Sequence, residues 1–161
     1  DNIMDISLIN LSKEIKQTLI EKKLSLACAE SCTGGMLSSY ITQVSGSSKY
    51  FQKGYITYSN DAKIKDLGVN PETIEKFGAV SEQTALEMLS GLDTDIGIAI
   101  TGVAGPTHSE EKPIGLVYIA IKYLNNYECI KNNFSGKRDE IRFQSVEKAM
   151  KMILNSVHNL G

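Results

Sequence analysis

Residues Ala29-Glu30-Ser31-Cys32-Thr33-Gly34-Gly35 join two apolar segments of different period. Leu24, Leu26, Ala27 and Cys28 come before them; Met36, Leu37, Tyr40, Ile41 and Val44 follow at near-helical spacing. The pattern reads as strand, tight turn, helix, the building unit of layered α/β domains. Adjacent glycines let the backbone approach a ligand closely. Ser31 and Thr33 put hydroxyls where a helix begins and its first N–H groups lack partners. Such a turn suits a nucleophile, an anion or simple helix capping.

The rest of the chain extends the same theme. Residues 3–23 carry Ile6, Leu8, Leu11, Ile15, Leu19 and Ile20 at helical spacing, and Leu24–Cys28 reads as the first strand. A helix is expected from Thr33 to Val44, stopping near Gly46, and a strand over Gly54–Tyr58. Ser59 is placed to cap a short helix to Leu67, closed by Gly68. Pro71 opens another that stops at Gly78, and Ser81 caps a third through Leu92. Asp95–Thr101 is almost wholly apolar and predicts a strand covered on both faces. Ile114–Tyr123 and Tyr127–Phe134 predict a hairpin turning at Asn125-Asn126, and Lys137–His158 a last helix. After the leading helix the order is β-α-β-α-α-α-β-β-β-α, an α/β domain whose late hairpin requires at least one antiparallel strand.

Composition narrows the function. With 161 residues the chain suits one domain with a substantial core. Its net charge of −2 argues against general nucleic-acid binding. No apolar run is long enough to span a bilayer, and the first residues lack the basic region of a signal peptide. Three cysteines and no secretion signal favour reduced thiols in the cytoplasm. Cys28, Cys32, Cys129 and two histidines, His108 and His158, do not stand at zinc-ligand spacing, so no metal is expected.

Hydroxyls, glycines and charges gather at three strand ends: Glu30–Gly35, the stretches Gly46–Lys49 and Tyr58–Lys63, and Thr101–Pro106. Ligands of open α/β sheets bind beyond the carboxyl ends of strands, so these segments are expected to converge. A serine nucleophile needs a base. Lys63 serves if its pKa falls from about 10.4 toward about 7 to 8, a change that burial produces. Its place near a helix start also disfavours the cation. Tyr58 is placed to relay a proton or orient the serine. The glycines of Thr101-Gly102-Val103-Ala104-Gly105-Pro106 could present N–H groups to an anion, though a tight turn explains them equally well. Lys137, Arg138 and Arg142 cluster where the last helix begins.

Taken together, AESCTGG (29–35), SGSSKYFQKGYITYSNDAKIKDLGV (45–69), FGAVSEQTA (77–85), ITGVAGP (100–106), EEKPIGLVYIAI (110–121) and FSGKRDEIR (134–142) resemble the CinA C-terminal domain family. They run in collinear order over most of the chain. The resemblance implies one domain over residues 1–161, a three-layer α/β/α sandwich with a five-stranded mixed sheet. Active members are nicotinamide mononucleotide deamidases, so it further implies hydrolysis of that nucleotide's carboxamide to nicotinate mononucleotide and ammonia, in pyridine nucleotide recycling. The implied enzyme is a cytoplasmic amidohydrolase that uses no metal or cofactor and whose partner is the small nucleotide. Nucleic acid and membrane are not implied, and a homo-oligomer is compatible with a small enzyme of this kind.

The family's catalytic site falls on Ser31, Ser48, Tyr58 and Lys63. Thr33, Gly34, Gly35, Thr101, Gly102, Gly105 and Arg142 are the expected substrate-binding residues. Ser31 is favoured as nucleophile, with an oxyanion held by N–H groups near Gly34 and Gly35; Ser48 is the rival, which spacing does not decide. The family usually has a glycine-rich turn after the Gly-Pro pair, whereas this chain has Thr107-His108-Ser109, so that loop is expected to take another shape. Longer CinA proteins carry a separate N-terminal domain, whose pyrophosphatase role is not expected of this stretch. The competing reading is a nucleotide-binding or regulatory module of the competence/damage-inducible type without turnover.

Overall fold

The computed structural model describes residues 2–160. Six α-helices and five strands follow one another as α1 (Ile3–Lys22), β1 (Leu26–Glu30), α2 (Met36–Thr42), β2 (Phe51–Ile56), α3 (Asn60–Leu67), α4 (Pro71–Phe77), α5 (Glu82–Ser90), β3 (Ile96–Gly102), β4 (Leu116–Tyr123), β5 (Asn126–Asn133) and α6 (Arg138–Leu160). The strands form one sheet in the order β2-β1-β3-β4-β5. The first three are mutually parallel, and β4 and β5 turn the sheet antiparallel. The mixed α/β architecture is the expected one.

Side-chain alternation along the strands sorts the core into two faces. Leu26, Cys28, Ile96, Ile98, Ile100, Val117, Ile119 and Ile121 join α1, α2 and α6 in one cluster. Ala27, Ala29, Ala99 and Ala120 face the other way, onto Leu67, Ala85, Met88 and Leu89. The second face is built from small residues, so α5 lies close against the sheet. At Gly97 a methyl group would come within 3.1–3.2 Å of Leu92 and Leu89.

The path out of β1 reaches β2 through α2 on the first face. The path out of β2 crosses to β3 through α3, α4 and α5 on the second. Strand order therefore reverses around β1, and a crevice opens beyond its carboxyl end, where ligands of such sheets bind.

Three differences from the expected boundaries bear on the site. The second strand is Phe51–Ile56 rather than Gly54–Tyr58, because pairing of Leu26 with Phe51 through Glu30 with Ile56 fixes its span. Thr57 and Tyr58 are thereby left to turn into α3. The helix expected from Thr33 begins only at Met36, with Gly35 at its cap in the left-handed region (φ 101°). Residues 31–35 form an extended turn instead. The first strand likewise starts at Leu26 and runs to Glu30 rather than spanning Leu24–Cys28. Among the described residues no helix is long and apolar enough to cross a membrane.

Candidate active site

Ser31 is the first residue after β1. Its N–H donates to Ile100 O (3.0 Å) on β3, which pins it between two parallel strands. Its hydroxyl lies 3.0 Å from Lys63 Nζ. Lys63 comes from the first turn of α3, whose N-cap is Ser59, as expected: Ser59 Oγ accepts from Ala62 N. The lysine is 1% exposed. Its amine also donates to Thr57 O (2.8 Å) and Tyr58 O (3.4 Å), the carbonyls of the loop leaving β2. None of these three partners is charged, and no carboxylate pairs with Lys63 among the described residues. Burial lowers its pKa below the ordinary lysine value, with the Glu110 carboxylate acting in the opposite direction.

The pair opens into a cleft of about 470 Å³ lined by Ser31, Lys63, Tyr58, Thr101, Gly102 and Gly105, with Arg138 and Glu110 at its polar walls. Its size is that of a small-molecule site. Thr101 is oriented by donating to Ala79 O (2.8 Å). Glu110 accepts from Ala79 N (2.6 Å) and Val80 N (3.2 Å) and pairs with Lys112 at 3.1 Å. Burial alone would raise its pKa; the Ala79 and Val80 N–H groups and Lys112 bring it below the ordinary carboxylate value. The glycine-free turn ends with Glu110 and Glu111 at φ 58° and 59°, a conformation that L side chains rarely adopt. Among the described residues no cluster of three or more His, Cys, Asp or Glu side chains is arranged to hold a metal ion.

Ser48 and Arg142 lie outside the cleft, and Tyr58 stands at its mouth. Ser48 is exposed in the 3₁₀ turn Ser47–Lys49 that precedes β2. That is the amino end of the parallel strands, about 15 Å from Ser31 at ~3.3 Å per strand residue. Arg142 does not line the cleft: it donates to Cys32 O (3.2 Å) and Thr33 O (2.9 Å) and holds the turn from outside. Tyr58 is 60% exposed at the cleft mouth, and its hydroxyl accepts from Arg138 Nη2 (3.0 Å). Only its carbonyl meets Lys63, so the expected proton relay has no direct contact behind it.

The expected oxyanion donors are engaged as well. Gly34 N–H donates to Ser31 O (3.0 Å) and Gly35 N–H to Glu30 Oε1 (3.2 Å). The buried Thr33 hydroxyl donates to that same oxygen at 2.6 Å.

Sequence reasoning missed two residues. Glu30, which stood only as one of the charges in the Glu30–Gly35 segment, is fully buried and organises the Ser31 turn. An acidic residue closing a buried strand, directly before a glycine turn, was the available signal. Arg138 also lies on α6, four residues before Arg142, and it is Arg138 that reaches the cleft and donates to Gly105 O. Residues four apart share a helix face, so the sequence held both candidates.

A five-stranded mixed α/β sandwich with a buried serine–lysine pair beyond its switch point defines the class of protein. Residues 8–157 match the family described as CinA C-terminal domain, and the chain belongs to that family. It is 50% identical over 135 residues to a CinA-like protein of Fusobacterium nucleatum subsp. nucleatum, covering 83% of this chain and 34% of the relative. The chain thus spans about a third of the length of the curated relatives it matches. The crystal structure of the competence/damage inducible protein CihA from Agrobacterium tumefaciens superposes with a TM-score of 0.90 at 38% identity, covering 94% of this chain and 96% of that one. The competence damage-inducible protein A (ComA) from Klebsiella pneumoniae gives 0.93 at 30% identity, covering 96% and 99%.

Proposed function

We propose that this domain is an amidohydrolase that removes the carboxamide nitrogen of nicotinamide mononucleotide, with Ser31 as nucleophile and Lys63 as base. The observation that carries the reading is the Ser31–Lys63 contact of 3.0 Å, with a buried amine that has no charged partner. A neutral lysine amine has two N–H groups and one lone pair. The Thr57 and Tyr58 carbonyls can only accept, so they take the two N–H groups. The lone pair is then directed at Ser31, whose O–H donates to it.

In the proposed reaction Ser31 Oγ attacks the carboxamide carbon while its proton passes to Lys63. The tetrahedral oxyanion takes a hydrogen bond from Cys32 N–H, next along the chain, which stands in none of the turn's backbone hydrogen bonds. Lys63 then returns the proton to the departing nitrogen as the C–N bond breaks. This releases ammonia and leaves an acyl ester on Ser31. Water, deprotonated by Lys63, cleaves that ester to nicotinate mononucleotide. Arg138 and Tyr58 at the mouth suit the nucleotide's phosphate, which an arginine fork binds well. Homo-oligomer formation and a cytoplasmic location belong to the same proposal.

The test is ammonia release from nicotinamide mononucleotide. The parent domain is expected to release it and Ser31→Ala to lose at least about 10³-fold in kcat, the scale on which a covalent nucleophile matters. Full turnover by Ser31→Ala, or full loss only in Ser48→Ala, would remove Ser31 from this role. Tight binding of the nucleotide without ammonia would favour the non-catalytic module.

A further inference from the structure

We infer that Glu30 is a positioning residue for the reaction: its buried carboxylate sets the path of the turn that carries Ser31. The inference rests on the reading of Ser31 as nucleophile. Glu30 is 0% exposed and does not line the cleft. One oxygen accepts from Thr33 Oγ1 (2.6 Å), Gly35 N (3.2 Å) and Leu37 N (3.0 Å). The other accepts from Ser38 N (2.9 Å) and Ser38 Oγ (2.7 Å).

A simple helix cap does not require this arrangement. Caps normally come from a Ser, Thr, Asn or Asp at the cap position itself. Here the cap position is Gly35, with no side chain to offer. The carboxylate arrives from the last residue of β1, five positions upstream, and reaches over the whole turn. The start of α2 and the end of β1 are thereby tied through one side chain, with Ser31 between them. Residues 32–35 contain two glycines at φ 58° and 101°, a backbone with wide freedom unless it is held. Arg142 takes the turn's carbonyls from the opposite side, so its N–H groups and its C=O groups each meet a charge of the right sign. The same bonds occupy the α2 N–H groups that an incoming anion would use. The substrate phosphate is therefore left to the far wall of the cleft.

Glutamine fills the same volume as glutamate but offers a single acceptor oxygen and an NH₂. Glu30→Gln therefore turns a donor toward at least one N–H of the α2 start, and the turn must shift. Substrate contacts along Thr101–Gly105 and at Arg138 are not attached to Glu30. The expected result is a kcat lowered about tenfold or more, the size a small misplacement of a reacting group produces, with KM within about twofold. Affinity for nicotinate mononucleotide by calorimetry is expected to stay unchanged, in protein shown to be folded by circular dichroism.

Thr33→Val removes only the 2.6 Å hydroxyl bond to Glu30 and keeps its volume. It is expected to lower kcat about three- to tenfold with KM unchanged, and it decides the question if Glu30→Gln does not fold. A folded Glu30→Gln with parental kcat overturns the inference. So does a parallel fall of kcat and product affinity, which would mark general damage. Ser31→Ala separates the two readings. If it still turns over, the nucleophile assignment falls and this inference with it; if it is inactive beside a fully active Glu30→Gln, this inference falls alone.

Discussion

Lys63 reaches the cleft with its amine held by two carbonyl oxygens and a hydroxyl, and burial lowers its pKa. In the unfolded chain it titrates near the ordinary value of about 10.4. Between the lowered folded value and that point the unfolded chain binds more protons. This group therefore adds stability as pH rises and withdraws it as pH falls through the folded value. Lys63→Met removes that slope. Urea unfolding at several pH values is expected to show the parent gaining on the variant as pH rises toward about 10.4, by at most about 1.4 kcal/mol per pH unit. A difference flat from pH 6 to 10 would mean that the amine is not neutralised by folding. Ser31 and Lys63 could be paired from sequence because each stands at a strand end or helix start of a convergent edge. The choice of Arg138 over Arg142, and the distance of Ser48, could not. Both depend on how far α6 and the 3₁₀ turn sit along the sheet, which the order of elements leaves free.

At the level of elements, capping residues gave the clearest signals. Ser59 and Ser81, expected as caps, each accept from a backbone N–H at the start of the helix they precede, and Asn70 does the same ahead of Pro71. Ser59→Ala should lose about 1 kcal/mol of unfolding free energy, the usual value of such a cap, as measured in urea. Helix α2 starts later than the local pattern predicts because its cap is not local. Periodicity from Met36 onward predicted a helix, while the hydroxyls of Ser31 and Thr33 suggested an earlier start than the chain takes. A carboxylate reaching down from β1 leaves no trace in a local pattern. Strand β2 starts earlier than its propensities predict for a related reason. Gly54 looked like a strand beginning but lies within the strand, where a Cβ would come 2.5 Å from Ser38 Oγ of α2. Tertiary contact, not propensity, set that residue and those bounds.

For the molecule as a whole, the three layers were readable because each strand shows its period and each helix its stripe. The asymmetry of the two sheet faces was less plain. Large aliphatic residues meet α1, α2 and α6, and alanines meet α5. Ala120→Leu puts bulk on the tight face, where α5 has no room to move aside. It is expected to destabilise the domain by about 1–3 kcal/mol, the ordinary penalty of overpacking, as read from thermal or urea unfolding. The cleft wall that follows β3 has a different character. Residues 103–115 leave the sheet at Gly102 and re-enter at Leu116, and Gly102 pairs directly with Val117. Val103 N–H to Leu116 O (2.9 Å) and Gly115 N–H to Val103 O (2.7 Å) fasten the neck of the loop. Its two ends are neighbours whatever lies between them, and the entropy of closing such a loop grows only slowly with length. Insertions and deletions around Thr107-His108-Ser109 can accordingly accumulate without disturbing strand register or the Ser31–Lys63 pair. The domain thus separates a serine–lysine pair fixed by the sheet from a cleft wall whose length is free to vary.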